Sequence, residues 1–249
     1  EVLSRSGLLP DPYYGTNEEE VQWVGERNWE YNLFFTPDSF DTKRAYRLNF
    51  TGLDTYAKVY LNDSLILTAD NMFRSWQVPV TSLLKAGTNH LRVAFTAPIE
   101  ALAETIEKLP YALNKTSVND TGTPRMANFA RKAQFQFGWD WGLRLVTQGI
   151  WRPVYLESWE HTRLEEVQYF QEELTTARAR VRVNARIDRR SPGDYELRLR
   201  DLNTSRLLAK RSLTKTEQEV DFTFQIDQPR LWWPNGHGEA HLYHLSCEL

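Results

Sequence analysis

The chain has 249 residues, enough for two domains that each bury a hydrophobic core. Its 30 Lys and Arg residues against 33 Asp and Glu residues give a net charge of −3, which argues against a nucleic-acid partner. No apolar run reaches the roughly 18 residues of a membrane-spanning helix, so we expect no membrane span. Aromatic residues make up 13% of the chain, so we look for binding surfaces that are formed by aromatic side chains.

Short stretches of alternating apolar and polar residues recur through the first part of the chain. Residues 45–50, 57–61 and 90–95 alternate in this way between Gly, Asn, Asp or Pro, and this pattern predicts half-buried antiparallel strands. The pair Asn62-Asp63 predicts a tight hairpin turn, because Asn and Asp tolerate positive φ. Residues 98–109 predict a helix, because their apolar positions recur at i, i+3, i+4 and i+7.

The segment 112–123 is polar and predicts a surface loop. It contains Asn114 and Asn119, which lie in Asn-x-Ser/Thr triplets and would be plausible glycosylation acceptors in a secreting host. The single Cys247 cannot form an internal disulfide and leaves the compartment open. We favour a secreted, periplasmic or lysosomal location over a cytoplasmic one.

A second region of alternating residues begins near His161 and predicts a small antiparallel sandwich. Five of its predicted strands cover residues 179–187, 194–200, 205–213, 219–226 and 241–249. In the last of these, His241 and His244 should point to opposite faces. About six strands can be counted, whereas an immunoglobulin-like sandwich has about seven, so we expect this sandwich to be truncated and the chain to be part of a longer polypeptide.

The densest chemical feature is a Trp139-Asp140-Trp141 triplet between two glycines. Indole rings can stack on the C–H faces of a sugar, and a carboxylate can accept hydrogen bonds from its hydroxyl groups. The structural alternative is that both rings belong to the core and that Asp140 caps a turn. Arg131 and Arg144 flank the triplet, and either could pair with Asp140; for Arg131, a solvated strand edge is the alternative.

A second aromatic segment, 231–238, contains Trp232 and Trp233 followed by a Pro-Asn-Gly turn. We interpret it as structural, because the Pro-Asn-Gly turn fixes a bend and the Trp pair can fill a seam between domains. A metal role is not expected, because His237 has no second ligand at metal-binding spacing. The five histidines form no metal signature, and no nucleophile elbow, phosphate loop or zinc-protease motif is present. We therefore expect neither a metal nor another cofactor, and no pair of catalytic acids can be assigned from the sequence.

Several ordered motifs together resemble the β-mannosidases of glycoside hydrolase family 2. The main ones are RKAQFQFGWDWG at 131–142 and TQGIWRPV at 147–154, with support from DPYYGTNE at 11–18, NWEY at 28–31, DNMFR at 70–74 and LWWPNGHG at 231–238. These motifs span nearly the whole chain.

The resemblance implies an all-β chain with two domains. Residues 1–160 would form a jelly-roll β-sandwich of sugar-binding type, and residues 161–249 would form the truncated immunoglobulin-like β-sandwich. In this family a catalytic (β/α)₈ barrel follows, with two glutamates that perform retaining hydrolysis of terminal non-reducing β-D-mannose residues. Neither glutamate maps to this chain, so the resemblance implies that the chain alone is inactive and holds no catalytic residue.

The resemblance also assigns a substrate-binding role to Trp139, Asp140 and Trp141. They would help a barrel of the same parent polypeptide to hold the mannose of a β-mannoside glycan, and the segment 11–18 would border the same opening. Two other functions stay open, an autonomous carbohydrate-binding module and a purely scaffolding domain pair. A related family-2 activity such as that of a β-glucosaminidase also stays open, since fold does not determine substrate.

Overall fold

The computed structural model describes residues 2–111 and 125–249. The chain forms two compact units that divide between Ser158 and Trp159. The predicted loop at 112–123, with Asn114 and Asn119, lies outside the described residues, so those predictions stay predictions. Within the described residues, no helix is both long and apolar enough to cross a bilayer.

The first unit is built mainly from strands. Its short helices are α1 (Val2–Arg5), α2 (Asn17–Glu20), α3 (Pro98–Glu107) and two 3₁₀ helices, Gln22–Glu26 and Gln134–Gln136. Its strands are β1 (Trp29–Phe35), β2 (Ala45–Phe50), β3 (Leu53–Asp54), β4 (Tyr56–Leu61), β5 (Ser64–Asp70), β6 (Trp76–Pro79), β7 (Asn89–Thr96), β8 (Phe137–Trp139), β9 (Gly142–Arg144), β10 (Gly149–Ile150) and β11 (Val154–Trp159).

Two sheets of the first unit enclose its main core. One sheet has the order β1-β7-β4-β5 and the other has the order β11-β2-β6. Tyr46 and Phe50 from β2 are buried in one cluster with Val59 from β4 and Phe95 from β7. The alternation predicted for these strands puts every second side chain into this core, and burial of those apolar side chains is the main force that holds the sheets together. The jelly-roll β-sandwich expected for this part is confirmed.

The local predictions in the first unit are confirmed with small differences in their bounds. Asn62 and Asp63 have φ values of 49° and 66° in the turn between β4 and β5. The predicted helix begins at Pro98 and ends at Glu107, two residues earlier than expected.

The second unit is a separate all-β sandwich of immunoglobulin-like type. Its six described strands are β12 (Thr162–Leu174), β13 (Arg178–Arg189), β14 (Tyr195–Asp201), β15 (Leu207–Leu213), β16 (Glu219–Asp227) and β17 (Leu245–Glu248). They form two sheets, β12-β13-β16 and β15-β14-β17. Ala185 and Leu197, one from each sheet, are fully buried in a shared core.

The last predicted strand was too long, because β17 begins at Leu245 rather than at residue 241. The residues before it bond to loops instead of a neighbouring strand. The backbone N–H of Leu202 donates to the carbonyl oxygen of His244, and the backbone N–H of Arg230 donates to Oη of Tyr243. His241 and His244 are therefore not on opposite faces of a strand.

Candidate functional site

The Trp-Asp-Trp triplet forms the tip of a β-hairpin. Strands β8 and β9 pair with Trp139 opposite Gly142, so Asp140 and Trp141 occupy a two-residue turn. Gly138 has a φ of 94°, a conformation that L side chains rarely adopt, which explains the glycine before the triplet. The triplet is thus a defined hairpin rather than an irregular loop.

Both indole rings of the hairpin reach solvent. Trp141 is 82% exposed and Trp139 is 36% exposed, and their ring centroids are 5.5 Å apart. Asp140 is also exposed. The structural alternative, in which both rings belong to the core, therefore does not hold for this chain.

The predicted pairing of Asp140 with its arginine neighbours is wrong. Within residues 2–111 and 125–249, the Asp140 carboxylate makes no hydrogen bond or ion pair, whereas Arg131 pairs with Asp70 at 3.4 Å. The Arg144 guanidinium is buried and donates from Nη1 to Oε1 of Gln22 at 2.6 Å. Arg144 lies opposite Phe137 at the base of the hairpin, so its side chain is held away from the turn. The carboxylate therefore keeps its acceptor capacity for a ligand.

A groove of about 670 Å³ runs beside the hairpin. Its aromatic lining comes from Tyr13, Phe135, Trp139 and Trp141, which are all exposed. This volume lies in the range of small-molecule sites. Tyr13 thus brings the segment 11–18 to the groove beside the triplet.

The base of the hairpin is fixed by α2 and the 3₁₀ helix after it. Oε1 of Glu18 accepts the backbone N–H of Arg144 at 2.7 Å, and Nε2 of Gln22 donates to the Arg144 carbonyl oxygen at 2.8 Å. With the guanidinium contact to Gln22, three hydrogen bonds hold one residue of β9. The turn therefore projects from an anchored base rather than from a mobile loop.

A buried ion pair lies behind the groove. Nζ of Lys132 is 2.6 Å from each carboxylate oxygen of Asp54, and it also donates to the carbonyl oxygen of Thr147. The Lys132 side chain is fully buried and the Asp54 side chain is 3% exposed. Burial lowers the pKa of the Lys132 ammonium, and the Asp54 carboxylate acts in the opposite direction.

Asp54 also contacts two polar residues of the groove lining. Oγ1 of Thr147 donates to Oδ2 of Asp54 at 3.3 Å, and Nε2 of Gln136 donates to the same oxygen at 3.4 Å. Asp54 thereby joins the two main motifs, 131–142 and 147–154. Sequence reasoning missed this residue because it lies 78 positions from Lys132 and belongs to neither motif.

The second aromatic segment forms a turn, as the Pro-Asn-Gly sequence predicted. The backbone N–H of His237 donates to the carbonyl oxygen of Pro234 at 3.0 Å. The backbone N–H of Trp233 donates to the carbonyl oxygen of Glu239 at 2.9 Å. Across the described ranges, no cluster of three or more His, Cys, Asp or Glu side chains is arranged to hold a metal ion.

Two family models match the chain and together cover nearly all of it. The model described as the glycosyl hydrolase 2 galactose-binding domain-like family matches residues 1–152, the unit that carries the hairpin. The chain belongs to glycoside hydrolase family 2. A second model, described as glycosyl hydrolases family 2, matches residues 162–249.

The similar proteins include several β-mannosidases. Beta-mannosidase B from Thermothelomyces thermophilus is 36% identical over 99% of this chain, and the protein of that name from Aspergillus oryzae is 37% identical over the same share. The crystal structure of a beta-D-mannosidase from Dictyoglomus thermophilum matches 98% of this chain with a TM-score of 0.85 and 35% identity. An exo-chitosanase from Amycolatopsis orientalis matches 98% of the chain with a TM-score of 0.68, but at 21% identity this likeness concerns the fold alone.

The chain spans only part of these relatives. It covers 28% of the Thermothelomyces protein, 29% of the Aspergillus protein and 30% of the Dictyoglomus chain. It matches their N-terminal domains, and the part of this chain that the structure describes forms no (β/α)₈ barrel.

Proposed function

We propose that this chain is the N-terminal, non-catalytic part of a β-mannosidase and that its hairpin supplies one wall of the mannose-binding subsite. The observation that carries the proposal is the exposed carboxylate of Asp140, which has no hydrogen-bond partner among the described residues and stands between two exposed indole rings. The identity to β-mannosidases over nearly the whole chain supports this substrate over other hexosides.

The hairpin offers two complementary contacts to a pyranoside. Trp139 and Trp141 present ring faces and edges to the C–H faces of the sugar, and this contact buries apolar surface. Asp140 accepts hydrogen bonds from vicinal hydroxyl groups, and bonds to an ionised acceptor are stronger than neutral ones. Because the base of the hairpin is already anchored, little conformational freedom is lost on binding.

Bond cleavage takes place on the barrel of the full-length polypeptide in this proposal. Two barrel carboxylates about 5 to 5.5 Å apart would act as acid/base and nucleophile, which gives retention of configuration. The contribution of this chain is to orient the non-reducing mannose. We therefore expect the isolated chain to release no chromophore from an aryl β-mannoside, and sustained turnover by the pure chain would contradict the proposal.

The sharpest test compares two aspartates in two-residue hairpin turns. Asp140→Asn in the full-length enzyme keeps the shape of the side chain and removes its charge. We expect kcat/KM for an aryl β-mannoside to fall about tenfold to a hundredfold, the effect of weakening a charged hydrogen bond. Asp63→Asn, in the exposed turn between β4 and β5, is the matched control and should leave kcat/KM within about twofold.

If the hairpin has only a scaffolding role, the opposite effects on kcat/KM and on stability are expected for the same variants. If the hairpin only docks against another part of the protein, Asp140→Asn should lower the melting temperature and leave kcat/KM of the folded enzyme intact. Equal kcat/KM for the Asp140→Asn and Asp63→Asn enzymes would therefore reject the sugar-binding role.

An autonomous carbohydrate-binding module is the second candidate, because the aromatic groove lies entirely within the first unit. Isothermal titration of the isolated chain with manno-oligosaccharide separates the two candidates. A module should bind with micromolar to millimolar affinity, roughly −8 to −4 kcal/mol, whereas one wall of a shared pocket should give no measurable heat.

A further inference from the structure

The side-chain amide of Gln136 has an unusual position in the groove. Gln136 closes the 3₁₀ helix Gln134–Gln136, which leads directly into β8 of the hairpin. The residue is 9% exposed and lines the groove beside Trp139 and Trp141. Its Oε1 atom is buried and has no hydrogen-bond partner among the described residues.

The orientation of this amide follows from the chemistry of its neighbour. Nε2 of Gln136 faces Oδ2 of Asp54 at 3.4 Å, and the carboxylate is ion-paired with Lys132. An ionised carboxylate only accepts hydrogen bonds, so it selects the NH₂ end of the amide. The oxygen end must then point away from Asp54, and a 180° flip would bring two acceptor oxygens together.

A buried acceptor without a partner is costly, and most such groups in folded proteins are satisfied by protein or by ordered water. Here the unpaired acceptor belongs to Gln136, a residue that lines the candidate binding groove. Oε1 is closed to solvent in this structure, so a hydroxyl donor bound in the groove would satisfy it through a local shift of the groove wall and would recover this cost on binding. A site of this kind discriminates strongly against ligands that lack the hydroxyl, because the acceptor then stays unpaired.

We infer that Gln136 is a further substrate-binding residue, whose Oε1 accepts a hydrogen bond from a hydroxyl group of the sugar. The inference rests on the proposed function and extends it from the tip of the hairpin to the buried part of the groove. Asp140 and Gln136 then bind different hydroxyls of one pyranoside. The Lys132–Asp54 pair positions the Gln136 amide and touches no substrate.

The chain offers a matched control in Gln148. Its Oε1 atom is also buried without a partner among the described residues, but Gln148 lines a different cavity, with Trp29 and Tyr31. Gln136→Met and Gln148→Met each remove an amide and keep the length of the side chain. In the full-length enzyme we expect Gln136→Met to lower kcat/KM for an aryl β-mannoside about tenfold and Gln148→Met to leave it within about twofold.

A second measurement separates a sugar contact from general damage to the groove. Wild type and Gln136→Met are compared on aryl β-mannosides that each lack one hydroxyl. For one of these substrates the loss seen with wild type should nearly vanish in the variant, because the missing hydroxyl is the one that Oε1 binds.

The inference is overturned if Gln136→Met stays within about twofold of wild type, or if its effect is the same on every deoxy substrate. Those results would leave the proposed function intact, provided that Asp140→Asn still lowers kcat/KM. If the full-length enzyme hydrolyses no β-mannoside, the proposed function fails, and this inference fails with it.

Discussion

Lys132 and Asp54 form a buried ion pair that joins the sandwich to the groove. Nζ of Lys132 lies 2.6 Å from both oxygens of Asp54, and solvent reaches almost none of either side chain. Asp54 ends β3, next to the sandwich core, whereas Lys132 precedes the hairpin. The pair therefore couples the position of the hairpin to the stability of the first unit.

Removal of one partner should reveal how tightly this pair is coupled to folding. Lys132→Met leaves the Asp54 carboxylate buried without a counter-ion, so we expect the free energy of unfolding to fall by about 3 to 5 kcal/mol. Urea denaturation measures the change. Lys108→Met removes the exposed ion pair with Glu104 on α3 and should cost less than about 0.5 kcal/mol. Equal small losses would show that Asp54 regains solvent when Lys132 is removed.

Tyr56 should give the first unit a measurable alkaline instability. Burial, assisted by the nearby Asp70 carboxylate, raises the pKa of Tyr56 from 10 to about 12. Because the folded state holds the proton more tightly, this contribution to stability is full below pH 10 and is lost as the pH rises from 10 to 12. The free energy of unfolding of Tyr56→Phe should decline less steeply over this window. Parallel curves for the two proteins would contradict the assignment.

The backbone of Val146 leaves no room for a side chain at Gly25. A Cβ atom on Gly25 would lie 2.8 Å from the backbone oxygen of Val146, next to the groove residues Leu145 and Thr147. Gly25→Ala should therefore destabilise the protein by about 1 to 3 kcal/mol, since the backbone itself must shift. A Cβ on Gly87 meets nothing within 4 Å, so Gly87→Ala should be neutral or slightly stabilising. Similar melting temperatures for both variants would contradict the steric argument.

Strands and turns could be predicted from the sequence most reliably where local chemistry alone determines the structure. The strict alternation in β7 reflects one buried and one wetter face, and the positive φ values of Asn62 and Asp63 follow from their residue types. The sequence of strand β12 shows no comparable alternation of apolar and polar residues. Its pairing with β13 shifts register between Leu164 and Glu166 and again between Gln171 and Glu173, and such bulges break the period of two.

The tip of the site could be predicted from the sequence, but its support could not. Trp139, Asp140 and Trp141 are consecutive residues, so their combination is visible in the sequence alone. The partners that hold Arg144 and Lys132 lie far away along the chain, 122 positions in one case and 78 in the other. Because Asp140 and Arg144 are close in sequence and opposite in charge, the sequence favoured an ion pair between them. In the structure the Arg144 guanidinium instead makes a buried hydrogen bond to Gln22.

Two adjacent tyrosines allow a test of the part of the groove wall that lies outside the hairpin. Tyr13 and Tyr14 are 78% and 76% exposed, but only Tyr13 lines the groove. Both Tyr13→Ala and Tyr14→Ala should change the free energy of unfolding by less than about 0.5 kcal/mol, because neither ring is packed in the core. In the full-length enzyme we expect Tyr13→Ala alone to lower kcat/KM, by about threefold to tenfold, the size of one aromatic contact.

The comparison of the two tyrosine variants cancels any general effect of removing a ring from this segment. Steady-state kinetics with an aryl β-mannoside measures kcat/KM, and thermal denaturation confirms that both enzymes are folded. Because the Tyr13 ring faces the same groove as Trp141, its loss should weaken binding of the sugar and raise KM more than it lowers kcat. Equal kinetics for the two variants would place the bound sugar outside this groove.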